Sequence, residues 1–302
     1  MRFELDEDQR DFASALESLL AGAGTVAAAR AWAEGDHAPG LGLWKRLADL
    51  GVTALATEAS PVEVAIAFEA IGRHVVPGPW IESAAFLPVA LGHEVEGVAT
   101  VALPPHVPLA LDADVAGTVY VGAAPAPAGT SFGDPLGSVD RTRRLFRLQG
   151  PDVPGAQGHD EAFDLAVLAC SAELLGAGER VLADSVTYVK QRTQFGRPIG
   201  SYQAIKHALA DVRIALDFAR SLVLGAALGD VPVSAAKVAA GDAAYLASRT
   251  GLQVHGAIGY TQEFDLSLWL GRIRALVGAW GTASFHRERL LQQLAGTGAE
   301  VR

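Results

Sequence analysis

Cysteine is nearly absent from this 302-residue chain, with Cys170 the only one. A disulfide framework is thereby excluded, and the composition suits a reducing, cytoplasmic setting. Cys170 lies in the apolar run AVLACSAELL and reads as a small core residue. Basic charge is scarce too. Lys and Arg number 24 against 34 Asp and Glu, a formal charge of −10, which is the wrong sign for a nucleic-acid surface. A phosphorylated cofactor stays possible, because one Arg and helix termini hold a phosphate locally. Half the residues are hydrophobic, yet no stretch of about eighteen passes without a charge, Gly or Pro, so no membrane span is expected. The opening MRFELDEDQRDF is charged from its second residue and carries no signal-peptide core. His207 and His255 have no second ligand at metal spacing, and no Ser–His–Asp or Cys–His arrangement is suggested.

What is present falls into three textures, in a length that admits one large domain or two to three small ones. Residues 1–95 read as helices: Leu5, Phe12, Leu16, Leu19 and Leu20 make an apolar stripe, GDHAPG (35–40) a loop, and Leu43–Leu50 and Val62–His74 two further helices. A helix from about Ile81 follows a Pro-Gly-Pro turn. Residues 96–160 are rich in Pro and Gly, and VATVALP, LALDADV, GTVYVGA and RRLFRLQ have strand composition, so a shortened β domain is expected. Arg141, Arg143, Arg144 and Arg147 read there as a solvated strand edge. Residues 161–302 turn helical again. Val167, Leu174, Leu182 and Val189 alternate with Ser171, Gly178 and Ser185, and a second seam runs from Ile205 through Leu209, Val212, Leu216 and Ala219 to Val223. An Ala-rich helix opens at Pro232, and two more span 263–277 and 282–294. Short links between such helices imply an antiparallel four-helix bundle with an added hairpin.

The first of these long helices ends at VKQRTQFGRPIGSYQ, where Gly196 and Pro198 break it and Ser201 is placed to cap the next. Arg192, Gln194 and Phe195 bring a cation, an amide and an aromatic ring to one junction. Such a set suits a phosphate and a planar ring, or an Arg that satisfies helix-end carbonyls.

RTQFGRPIGSYQAIKHALADV, followed by QVHGAIGYTQE at 253–263, resembles the flavin-binding signatures of the acyl-CoA dehydrogenase family, in the family's order. The resemblance covers both helical regions and implies a mainly α fold: an N-terminal helical domain, a reduced middle β domain and a C-terminal four-helix bundle. It also implies FAD. In the family the Arg-x-x-Phe-Gly junction and the Gln-x-x-Gly-Gly loop serve a flavin whose ring lies in a neighbouring subunit. By resemblance, Arg192, Gln194, Phe195, Gln203, Gln253, Gly256 and Ala257 are cofactor-binding, with Ala257 standing for a more usual Gly.

The family's chemistry removes an α-proton from a CoA thioester with a carboxylate base, usually a Glu in a Tyr-Glu-Gly-Thr turn. Counting from Gly259, Tyr260, Thr261 and Glu263 to Gly281-Thr282 places Trp280 where that Glu stands, after Ala279. An Arg-Asp pair is replaced by Gly271 and Arg272. A second base position used by some relatives falls on Ala166. Glu173 is a nearby acid and reads as structural; Glu263 reads as a cap or ion-pair partner. The Thr-Glu-Pro and Trp-bearing strands that wall the flavin ring are missing, with no Trp between Trp80 and Trp269. The expectation is a heteromer subunit without a catalytic residue of its own, similar to the paired dehydrogenases of actinobacterial steroid side-chain degradation. A second acyl-CoA dehydrogenase subunit would carry the base and bind most of the acyl-CoA, with electron-transfer flavoprotein as electron acceptor, and no nucleic acid or membrane is involved. Two alternatives stand beside it: a self-sufficient homo-oligomer with an unusual base such as Glu173, and a cofactor-free scaffold.

Overall fold

A capping box starts the first helix. Asp6 accepts the Gln9 amide at 2.8 Å, and the Gln9 side chain accepts the Asp6 N–H at 3.1 Å. The computed structural model describes residues 4–150 and 159–297, so 151–158 of the expected β stretch lie outside the described residues. Helices α1 (Glu7–Ala21), α2 (Thr25–Ala33), α3 (Ala38–Asp49), α4 (Leu55–Glu58) and α5 (Pro61–Arg73) come first. The expected GDHAPG loop is shorter than thought, since α3 begins at Ala38 with Pro39 in its first turn, where a missing N–H costs nothing. The α1–α2 pair bends by 62° and buries Leu16, Leu20, Ala28, Ala29 and Trp32. Among the described residues no single helix is long and apolar enough to cross a membrane. A stacked pair, Trp44 on Trp80 at 3.8 Å, leads into a π-helical turn, Glu82–Phe86, and α6 (Leu87–Leu91).

The strands are short. β1 (Ala99–Ala102), β2 (Ala110–Leu111), β3 (Thr118–Val121), β4 (Ala124–Pro125), β5 (Ser131–Phe132), β6 (Leu145–Phe146) and β7 (Leu148–Gln149) form one three-stranded sheet and two ribbons. β1 runs parallel to β3, and β3 antiparallel to β4. Ala99 N–H donates to Ser83 Oγ at 3.1 Å, which ties the sheet to the π turn.

The centre is α7 (Asp160–Gln191), 32 residues long. Two glycines let α5 press its backbone against it. A Cβ on Gly72 would stand 2.0 Å from the Glu173 carbonyl oxygen, and one on Gly176 would stand 1.9 Å from that of Glu69. β8 (Thr193–Gln194) and β9 (Arg197–Pro198) make a tight hairpin, followed by α8 (Gln203–Ala227), α9 (Val233–His255), α10 (Leu266–Leu276) and α11 (Ala283–Thr297). The large–small seam of α7 is buried as expected, and so is that of α8 except Ile205, which is half-buried. Arg220 bridges Glu69 at 2.7 Å and Glu179 at 3.0 Å, fastening α5, α7 and α8 together. One expectation fails. Ser201 does not cap α8, because a 3-10 turn at Ile199–Ser201 intervenes and leaves the Ser201 hydroxyl buried without a partner.

Candidate functional site

The hairpin after α7 presents Arg192, Gln194 and Phe195 to solvent. Arg192 leaves the helix with its amide still bonded to the Tyr188 carbonyl at 2.8 Å, and its own carbonyl accepts from Ile199. Phe195 turns at φ 54°, next to Gly196 at φ 80°, and its ring is 92 % exposed. A bulky residue at positive φ is strained, and among the described residues nothing covers this ring. Arg197 lies flat over Tyr202, 4.1 Å from the ring centroid, and stiffens the second arm. Among the described residues the side chains of Arg192, Gln194, Gln203 and Gln253 find no hydrogen-bond partner on their own chain, and all four are exposed.

The end of α9 packs on the last turns of α7, from which this hairpin leaves. His255 is buried and stacks on Tyr188 of α7 with centroids 4.3 Å apart. Its Nδ1 donates to the Gly251 carbonyl at 2.7 Å, while Nε2 is buried and unpartnered. Gly256 then turns at φ 64°, open around its missing Cβ, and Ala257 is exposed. One end of the bundle therefore collects a guanidinium, amides, an aromatic face and an orphaned imidazole nitrogen.

At the position counted for the base, the structure is filled. Trp280 is fully buried, at φ 56°, with its ring 5.4 Å from Phe86 and 6.0 Å from Phe163. Its carbonyl accepts from His286 Nε2 at 2.9 Å, and Ser234 Oγ reaches His286 Nδ1 at 3.0 Å. Burial holds the His286 ring neutral, with its pKa pulled down to about 4. Lys237, also buried, donates to the last carbonyls of α10, Leu276 at 2.9 Å and Val277 at 3.3 Å, and so fixes the approach to Trp280. Cys170 packs behind, its thiol pushed up to about 11 by burial and its Sγ against the Leu276 carbonyl. Ala166 is buried nearby on α7.

Glu173 is not a free acid. Arg272, fully buried, holds it at 2.6 Å, Asp140 at 2.6 Å and the Thr142 hydroxyl at 2.8 Å. The exchange of the family's usual Asp for Arg272 is thus matched by two carboxylates drawn from α7 and the β region. The arginines of the β region depart from expectation as well. Arg143 is buried near Glu82 at 3.9 Å, and Arg144 pairs with Asp114 at 2.5 Å; only Arg141 and Arg147 are exposed. Glu263 makes no ion pair among the described residues. Its backbone carbonyl accepts from Arg30, and Asp265 carries the charge contact at 2.7 Å.

Glu82 was missed from the sequence, although a lone carboxylate inside PWIESAAF was the available signal. It is fully buried, neither oxygen has a hydrogen-bond partner, and burial pushes its pKa up. Glu82, Arg143 and Trp280 line one cleft of about 350 Å³.

A central helical bundle, a small β insert and a polar hairpin at the bundle's end define an acyl-CoA dehydrogenase fold. Residues 155–295 match the family model described as acyl-CoA dehydrogenase, C-terminal domain. The acyl-CoA dehydrogenase IpdE2 of Mycobacterium tuberculosis is 32% identical over 292 residues, covering 88% of this chain and 91% of that protein. The chain belongs to the acyl-CoA dehydrogenase family. Among solved structures, the ChsE4-ChsE5 complex from Mycobacterium tuberculosis superposes with a TM-score of 0.77 at 21% identity, over 98% of this chain and 99% of that one. The Tcur3481-Tcur3483 steroid ACAD, solved as a variant, gives 0.79 at 20% identity, over 97% and 99%.

Proposed function

We propose that this chain is the non-catalytic subunit of a cytoplasmic, heteromeric acyl-CoA dehydrogenase, in which it completes the FAD site of a partner subunit. The observation that carries this reading is the pairing of an open end with a closed one. The hairpin offers Arg192, Gln194 and the strained, exposed Phe195 with nothing of its own to bind, while Trp280 fills the position of the base. Arg192 would hold a phosphate of FAD through charge-assisted hydrogen bonds, and the Phe195 face would lie against a planar ring. Gln203 and Gln253 would supply amide donors, and the bare backbone at Gly256 and Ala257 would allow close approach. The orphaned His255 Nε2 agrees with a polar group covering that loop. FAD held there would supply the hydride acceptor for the β-carbon. The partner would supply the base and most of the acyl-CoA contacts, and electron-transfer flavoprotein would reoxidise the flavin.

The ChsE4-ChsE5 complex and the Tcur3481-Tcur3483 steroid ACAD favour a two-subunit assembly and steroid-derived CoA thioesters as the substrate class. A self-sufficient enzyme using Glu173 is disfavoured, because that carboxylate is already engaged in a buried 2.6 Å ion pair with Arg272. Arg192→Ala tests the assignment. In the assembled complex it should reduce FAD retained through gel filtration at least tenfold while leaving assembly intact; wild-type retention would refute the role.

A further inference from the structure

Residues 256–265, which begin with Gly256 and Ala257, have little apolar burial to hold their shape. Only Gly259 among them is buried, and Tyr260 is 75% exposed. A segment so poor in buried contacts keeps its conformation through hydrogen bonds. Its far end is gripped from the N-terminal helices. Arg30, in the last turn of α2, donates from Nη1 to the Gln262 carbonyl at 3.0 Å and from Nη2 to the Glu263 carbonyl at 3.1 Å. Asp265 Oδ1 accepts from Nη2 at 2.7 Å and from Nε at 3.2 Å. An exposed ion pair alone is worth little, but here the guanidinium engages two backbone carbonyls as well, with all three of its nitrogens. A planar fork can do this where a flexible ammonium cannot. The base of the fork is firm, since Ala28, Ala29 and Trp32 of α2 are buried. Arg141 of the β region adds a second hold, Nη1 donating to Gln262 Oε1 at 2.9 Å. The segment in turn lies folded on the end of α9: a Cβ on Gly259 would stand 3.1 Å from Leu252 and 3.2 Å from His255, the residues on either side of Gln253.

We infer that Arg30 is a positioning residue: by clamping residues 262–265 it holds Gln253, Gly256 and Ala257 in the arrangement that receives FAD. The inference rests on the cofactor-sharing reading. Two measurements test it. Hydrogen exchange on the full-length chain alone should show residues 256–265 exchanging about tenfold faster in Arg30→Met than in wild type, with α7 protected as before. In the assembled complex, FAD dissociation followed by flavin fluorescence should be roughly fivefold faster in Arg30→Met. Arg30→Lys should lose FAD as Arg30→Met does, because it keeps the charge and loses the fork. A residue that merely supported the fold would lower the thermal midpoint of the free chain and leave both rates where they were. Unchanged exchange in residues 256–265, wild-type FAD dissociation in Arg30→Met, or full rescue by Arg30→Lys would each overturn the inference. The Arg192→Ala complex separates this failure from that of the parent reading. Wild-type retention in Arg192→Ala strikes the cofactor-sharing reading, whereas loss there beside wild-type retention in Arg30→Met strikes the role of Arg30 alone.

Discussion

Two buried titratable groups, His286 and Asp112, set opposite pH dependences on stability. His286 has its pKa lowered from 6.5 to about 4 by burial, so the unfolded chain binds the extra proton across that window. Its contribution is complete above 6.5 and is lost as pH falls towards 4, on the order of 3 kcal/mol in all. Asp112 accepts from Trp32 Nε1 and the Arg144 amide, both at 3.2 Å, yet burial raises it from 3.8 to about 7. Its contribution is present below 3.8 and is lost as pH rises to about 7, on the order of 4 kcal/mol. Between 4 and 6.5 the two slopes largely cancel. Urea unfolding followed across that range should show Asp112→Asn steepening the gain in stability with pH, and His286→Gln reversing it; parallel curves for both would contradict the assignment. Arg272→Met should cost about 3–5 kcal/mol, since two buried carboxylates lose their cation, and the urea midpoint would report it. None of these partners was legible in the sequence. Arg272 stood out only as a replaced Asp, and its partners lie 99 and 132 positions away. The placement of Cys170 was legible, because its apolar surroundings are local.

At the scale of elements, the helices with a clear apolar period were readable, and the ends were less so. α10 begins at Leu266 rather than at residue 263, because Thr261 and Ser267 bond back to Ile258 and Gln262 and keep the loop closed. Ser201 looked like a cap in isolation, but Tyr202 precedes α8 and its carbonyl takes the first helical bonds. The β region gave strand composition correctly but hid a fully buried Asp112 and a largely buried Arg143, since alternation in such short strands carries no long-range partner. Gly176 tests the packing of α5 on α7. Gly176→Ala would drive a methyl into the Glu69 carbonyl and should destabilise the chain by about 1–3 kcal/mol, against a surface Gly→Ala control. Phe195→Ala should leave the thermal midpoint unchanged, because the ring packs on nothing, while weakening FAD retention in the assembled complex. A lowered midpoint would mean that the ring supports its own fold.

For the whole molecule, the fold and the family were legible from two motifs, while the sealing of the Trp280 site was legible only as a substitution. The structure adds why an indole sits there stably: Phe86 and Phe163 flank it, and His286 and Lys237 fix its turn. The acidic surface, formally −10, leaves the open hairpin with Arg192 and Arg197 as a local cationic feature on an anionic body. That contrast suits a phosphate-bearing cofactor more than a nucleic acid. The central claim concerns division of labour between subunits, and the visible spectrum tests it most directly. Purified alone, the chain should be colourless; co-purified with a dehydrogenase subunit that has an intact base, it should carry the yellow flavin band. A chain that is yellow by itself and bleaches on adding an acyl-CoA would contradict the account.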